Sequence, residues 1–280
     1  MSRTPLLLCF VLAASCSPST SQPASPTPEE DAGADAPATP STADCTPGEV
    51  PADVRARFNL APFYEQHVSL RGFPIIASEK TTPKALCVAR DVIDKMLEHR
   101  PEIVDRLVEK KIRLVVMART EKTTDIPEHS DLTPKDYWDE RARGLGATLD
   151  RPAVSCAEEN VLCESGDRYK GESILVHEFA HAIFNIGIEL FEPTARAKLD
   201  KSYDDAIKAG LFANTYAGSN ADEYWAEGVQ DWFDTNITKT PADGIHNEIG
   251  TRAQLETYDP TLAALVAEVF GKLSWRYSCP

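Results

Sequence analysis

The chain has 280 residues, with 44 acidic against 29 basic side chains and a formal net charge of −15. Nucleic acid is excluded as a natural partner by that balance, because affinity for phosphates comes from lysine and arginine. The charge steers basic peptides only where it is focused at a cleft, and spread over a surface it serves solubility.

The first residues read as an export signal. Met1-Ser2-Arg3 is a short positive region, Leu6 to Leu12 an apolar core and Ala13-Ala14-Ser15 a small-residue run, so residues 1–15 form a secretory signal too short to span a membrane. Cys16 follows at once, and small residues ahead of a cysteine resemble a bacterial lipoprotein signal. That resemblance implies a lipid on Cys16 and anchoring to a bacterial membrane, with Ser17 favouring the outer one. Ala13 departs from the pattern, which usually has a larger aliphatic there, and the alternative is ordinary cleavage after Ala14 or Ser15. An anchored lipid is then the chain's membrane contact. Residues 17–44 hold six prolines and five acidic residues, with no aromatic, Val, Ile, Leu or Met, and so lack the apolar surface to fold. The segment 16–44 is therefore expected to be a disordered linker, and 45–280 a single domain of 236 residues.

Within that domain, Pro74 to Ala77 and Ile112 to Ala118 read as strands, with helices over 83–98 and 101–110 between them. Gly144 to Leu149 and Val154 supply further strand. Helices are expected over 193–209, 220–235 and 260–271, with Pro193, Asn220 and Pro260 at their starts. Strands early and helices late predict an α+β fold with a mixed sheet and a helical C-terminal part.

One pentad carries most of the chemistry. His177-Glu178-Phe179-Ala180-His181 lies between Ile174-Leu175-Val176 and Ala182-Ile183-Phe184, a stretch apolar enough for a buried helix. On a helix, positions i and i+4 share a face about 6 Å apart along the axis, so two imidazoles can converge on one Zn²⁺. Glu178 then flanks the metal's open position, where a carboxylate can take a proton from water whose pKa the metal has lowered to about 7. Two imidazoles and a carboxylate in an apolar helix need such partners, because burying them unpaired is costly.

A third ligand is sought downstream, in the stretch from Tyr216 to Gly228. After Asn220, a natural N-cap, the spacing of Tyr224, Trp225, Val229, Trp232 and Phe233 is helical, which puts Glu223 and Glu227 on one face. One carboxylate on the metal and another, one turn on, accepting the second N–H of a ligand imidazole satisfies both shells. The bland alternative is two solvated glutamates on an amphipathic helix.

The HExxH pentad followed after 41 residues by Glu223 resembles the gluzincin metallopeptidases. The string Tyr216-x-x-x-Asn220-x-x-Glu223-aromatic-aromatic-Ala226-Glu227 is similar to the catalytic domain of anthrax toxin lethal factor and to lethal-factor-like secreted proteins. The resemblance implies a zincin-like domain with a mixed sheet over the HExxH helix. Its residue roles, carried over, make His177, His181 and Glu223 ligands of one Zn²⁺, Glu178 the general base, Tyr216 the oxyanion donor and Glu227 the partner of a ligand histidine. The implied activity is that of a secreted or lipid-anchored zinc endopeptidase acting on peptides or proteins, with an edge strand binding the substrate backbone. Two alternatives stand beside it: a zinc-dependent amidase or aminopeptidase, and a non-catalytic surface-binding lipoprotein whose zinc is structural.

Cys45, Cys87, Cys156, Cys163 and Cys279 remain in the domain, an odd number for an oxidising compartment. Cys156 and Cys163 are placed to close a small loop ahead of the HExxH helix, Cys45 and Cys279 to join the domain's ends, and Cys87 reads as a buried thiol. His129 is expected either to contact substrate or to sit in a loop paired to a carboxylate. His246, between turn residues, is expected on a surface loop or, as the alternative, lining a pocket, and Arg168, in Asp167-Arg168-Tyr169, is expected to brace the HExxH helix. Nothing marks an oligomer interface.

Overall fold

The computed structural model describes residues 45–280. The signal over 1–15, the linker over 16–44 and the lipid site at Cys16 lie outside the described residues. Strands β1 (Gly48–Glu49), β2 (Gln66–Leu70), β3 (Phe73–Ala77), β4 (Arg113–Met117), β5 (Gly144–Leu145) and β6 (Ala153–Ala157) form one sheet in the order β1-β2-β3-β4-β6-β5. The sheet is mixed, as expected: β3 to β4 and β4 to β6 are parallel, while β2 to β3 and β5 to β6 are antiparallel. Every residue of β3, β4 and β6 is buried, which follows from their central, parallel places, where both faces are covered and the sequence runs apolar without alternation. β2 reads Gln-His-Val-Ser-Leu and is not predicted. It is half-exposed and held by its tight hairpin to β3 through Arg71 and Gly72, both at positive φ.

Helices α1 (Ala52–Phe58), α2 (Pro83–Met96), α3 (Glu102–Glu109), α4 (Lys135–Arg141), α5 (Glu158–Val161), α6 (Ile174–Ala182), α7 (Ala195–Lys208), α8 (Ala221–Trp232), α9 (Arg252–Tyr258) and α10 (Pro260–Phe270) complete the domain. The expected helices over 83–98, 101–110, 193–209, 220–235 and 260–271 are α2, α3, α7, α8 and α10. α2 starts on Pro83, whose missing N–H costs nothing in the first turn, and buries Leu86, Val92 and Ile93. α1, α4 and α9 are seven residues each, too short for a periodic pattern to stand out. α6 packs against β6 on one side and α8 on the other, so the HExxH helix is held between the sheet and the helical C-terminal part. Directly after it, Ile183–Ile188 is a single π-helical stretch. Its Gly187 packs so tightly on α3 that a Cβ there would lie 2.7 Å from the Ile103 side chain.

The cysteine expectations are corrected. Cys45 is bonded to Cys87, and Cys163 to Cys279. Cys156 is free and buried. Cys156 belongs to the inner strand β6, where its side chain faces the core, whereas Cys163 lies past α5, beyond the turn that carries the chain off the sheet. There the C-terminal tail reaches it, with Tyr277 donating to the Val161 carbonyl at 3.1 Å. Burial pushes the Cys156 thiol pKa up, which leaves it a poor nucleophile. Peptide mapping without reduction is expected to give the 45–87 and 163–279 links with Cys156 alkylatable only after unfolding. Replacing Cys163 and Cys279 together by alanine is expected to lower unfolding free energy by about 2–5 kcal/mol in urea titration. A 156–163 link would contradict this arrangement.

Candidate metal centre

α6 starts at Ser173, whose hydroxyl accepts from the Val176 N–H at 3.3 Å, while Asn160 accepts from the Ile174 N–H at 2.8 Å. Val176, Phe179, Ala180 and Ile183 are all but fully buried. His177 is buried and Glu178 and His181 are partly so, which leaves one polar stripe on an otherwise apolar helix. α8 starts at Asn220, as its sequence predicts, with the side-chain oxygen accepting from the Asp222 and Glu223 N–H groups at 3.0 Å each. The two helices are locked together by the Trp225 indole N–H, which donates to the Ala180 carbonyl at 3.0 Å.

The packing brings the expected ligands together. Among the described residues, His177, His181 and Glu223 form the one cluster of His, Cys, Asp or Glu whose donor atoms all lie within 4.8 Å of one another. His177 Nε2 is 3.2 Å from His181 Nε2 and 3.1 Å from Glu223 Oε2, and His181 Nε2 is 3.3 Å from Glu223 Oε2. Donors bound tetrahedrally to zinc at about 2.0–2.1 Å are separated by about 3.3–3.4 Å, so this triangle has the size of one face of that shell. The tautomer fits as well. His177 Nδ1 is 2.8 Å from Gln230 Oε1 and 3.4 Å from Glu227 Oε1, both acceptors, which would keep the proton on Nδ1 and leave the Nε2 lone pair for an ion held in the triangle.

Glu227 is thus beside His177, as expected, but Gln230 is the nearer partner and was not anticipated. The signal was present in the helical spacing, since 223, 227 and 230 share a face of α8. Gln230 also spans to the Ser173 carbonyl at 3.4 Å, and Asn236 holds Glu227 at 3.0 Å. Tyr216 precedes α8 in a loop pinned by its own N–H to the Ile245 carbonyl at 2.8 Å. Its hydroxyl donates to Glu223 Oε1 at 3.0 Å, and its ring stacks on His177 with centroids 6.1 Å apart.

The charges are strongly coupled. Burial works against protonation of His177, yet hydrogen bonds to Glu223 and Glu227 outweigh it and raise its pKa well above the ordinary value. Burial likewise raises the Glu223 carboxyl, but the two imidazoles overcome it and hold it far below the usual carboxylate range. At Glu178 burial wins over the imidazoles and the pKa is raised, the direction that suits a proton acceptor working near neutrality.

The edge strand β5 passes directly over this stripe. A Cβ on Gly144 would lie 2.5 Å from the Ile174 side chain, and one on Gly146 would lie 3.1 Å from His181 Cβ and 3.5 Å from Glu178 Oε2. Glycine at both positions lets the backbone ride on α6. Ser155 on β6 accepts from the Leu145 N–H at 3.1 Å, and Arg143 is clamped to Glu159 at 2.7 Å and to the Ala118 carbonyl at 3.2 Å. These anchors carry no sequence pattern and went unread.

Three expectations are revised. His129 is buried 3.0 Å from Ser155 Oγ and is neither a substrate contact nor paired to a carboxylate. Burial brings its pKa down to about 4, so it is a neutral prop beneath the sheet. His246 is buried and not on the surface, with Nε2 3.2 Å from Glu172, and it lines a small pocket with Glu227 and Asn236, the alternative reading. Arg168 donates to the Glu140 carbonyl at the end of α4 and so braces that helix instead of α6.

No family model matches the chain, and no curated protein matches it in sequence. Among solved structures it is similar to a Pro-Pro endopeptidase, PPEP-2, from Paenibacillus alvei, at 16% identity and a TM-score of 0.48 over 70% of this chain and 97% of that one. A likeness at this level is not one from which an activity follows.

Metal analysis is expected to find one zinc per chain, lost in His177→Ala, His181→Ala and Glu223→Ala. Gln230→Ala is expected to keep the metal but weaken it about 10- to 100-fold in a chelator competition. Unchanged affinity in Gln230→Ala would contradict its role.

Proposed function

We propose that the chain is a zinc-dependent endopeptidase, exported and anchored to a bacterial membrane through a lipid on Cys16. The observation that carries this reading is the donor triangle of His177, His181 and Glu223, with sides of 3.1, 3.2 and 3.3 Å, beside the carboxylate of Glu178. His177 and His181 through Nε2 and Glu223 through Oε2 would hold the ion. Zinc bound there supplies a Lewis acid that polarises the peptide carbonyl and acidifies water.

The rest is the work of the chain's own groups. Glu178 takes a proton from the water that attacks the scissile carbonyl carbon and later delivers it to the nitrogen of the departing amine, so the C–N bond breaks with no net change in Glu178. The oxygen of the carbonyl gains negative charge as the water adds. Tyr216, whose hydroxyl reaches Glu223, turns that hydroxyl to donate to the developing oxyanion. The free edge of β5 offers backbone N–H and C=O groups on which a peptide adds as an extended strand, so recognition does not depend on most substrate side chains. Gln230 and Glu227 keep His177 in the tautomer that binds through Nε2.

The full-length protein, supplied with zinc, is expected to cleave members of a diverse peptide library read by mass spectrometry. Glu178→Ala is expected to retain zinc while losing at least about 10²-fold in turnover, and Tyr216→Phe to lose about 10²–10³-fold. Stoichiometric zinc with no cleavage by the parent protein would instead favour a structural metal. Cleavage surviving in Glu178→Ala would remove the proposed base.

A further inference from the structure

α4 has no buried residue, and its last residue lies three positions before the edge strand β5. That residue, Arg141, is exposed, with its guanidinium 5.9 Å from the Tyr137 ring centroid. Of the cations nearby in sequence, Arg143 is matched to Glu159 at 2.7 Å, Arg151 to Asp131 at 2.8 Å and Lys122 to Asp139 at 4.0 Å, whereas Arg168 donates to a backbone carbonyl. Among the described residues Arg141 has no such partner, in a chain with 44 acidic side chains to 29 basic.

The loop that leads into α6 is latched to the same helix end. Tyr169 donates its hydroxyl to the Arg141 carbonyl, and Arg168 donates to the Glu140 carbonyl. This gathers Tyr169, Arg168 and Arg141 at one rim of the polar stripe. Arg141 therefore stands near the start of α6, three residues before Gly144, where a Cβ would lie 3.2 Å from Glu178 Cγ.

Direction follows from the strand. Gly144 lies against Ile174 and Glu178, and Gly146 against His181, so β5 runs along α6 with Arg141 beyond the Ile174 end. A peptide paired antiparallel to β5, the stronger mode of pairing, runs the opposite way and sends its residues C-terminal to the scissile bond toward Arg141. At about 3.3 Å per residue the guanidinium is within reach of roughly the first three of them.

We propose that Arg141 forms a carboxylate subsite on the C-terminal side of the scissile bond, selecting peptides with an acidic side chain or a free chain terminus there. The proposal rests on the peptidase reading above and assigns its substrate class. An exposed guanidinium supplies modest binding energy, and a peptide that covers it from solvent strengthens the pair.

The test uses full-length protein with zinc and peptides differing only by Glu, Gln or Lys at each of the three positions, each with a free or an amidated C-terminus. Binding is read by fluorescence anisotropy on Glu178→Ala protein and cleavage by kcat/KM on the parent. Glu is expected to exceed Gln by about three- to tenfold at one position, with Lys weakest and the spread shrinking with salt. Arg141→Ala is expected to bring the Glu-to-Gln ratio to about one, Arg141→Glu to reverse the order and Arg141→Lys to restore part of the preference, all at unchanged melting temperature. If only the free C-terminus matters, the carboxylate is that of the chain end. Equal binding of Glu, Gln and Lys peptides, or an order that Arg141→Glu leaves intact, would overturn the subsite and leave Arg141 as a helix-end cation. Peptides that neither bind nor are cut would overturn the peptidase reading itself.

Discussion

The Trp225 indole N–H donating to the Ala180 carbonyl at 3.0 Å sets the distance between two helices whose polar faces must meet. Ala180 is the residue before His181, and Trp225 lies two after Glu223, so this bond fixes the turns that carry His181 and Glu223 at the point where they face each other. Gly228, one turn further along α8, carries the consequence outward. A Cβ there would lie 2.6 Å from Leu262, so α8 is sandwiched between α6 and α10 without room to slide. Apolar packing of Val176, Phe179, Val229 and Trp232 supplies the force, and the indole bond supplies the register.

That arrangement crowds groups that repel or compete. Two imidazole nitrogens at 3.2 Å and a carboxylate oxygen on both are costly to bury as they stand. A cation held between them would convert the cost into coordination, and Gln230, Glu227 and Asn236 behind His177 are placed as the props such a ligand would need. The π-helical stretch Ile183–Ile188 starts two residues after His181, where the α6 ladder widens and the chain packs against α3 through Gly187.

Much of this was legible in the chain. Helical spacing alone placed His177 with His181 and Glu223 with Glu227, and the Asn220 cap predicted the start of α8 to the residue. The parallel strands β3 and β4 showed as short apolar runs, while β6 was legible only at Val154. Tertiary pairing was not legible. Cys156 and Cys163 are neighbours in sequence, yet one faces the core of the sheet and the other meets a tail 116 residues away. β2 owes its pairing to a tight hairpin and not to its own alternation, and of the strand expected from Gly144 to Leu149 only Gly144 and Leu145 pair, held by Arg143 and Ser155. His129 and His246 illustrate the same limit, for a single histidine in a loop does not say whether the loop is covered. Gln230 was missed for a different reason: it stood on the face already singled out, but only the carboxylates there were weighed.

The most direct measurement is crystallography of the full-length protein grown with zinc, with data on either side of the zinc absorption edge. A single anomalous peak bonded to His177 Nε2, His181 Nε2 and Glu223 Oε2 at about 2.0–2.2 Å, with a further position open beside Glu178, is the predicted result. A peak elsewhere, or one whose fourth position is closed by another side chain, would contradict the account of this centre as a catalytic one.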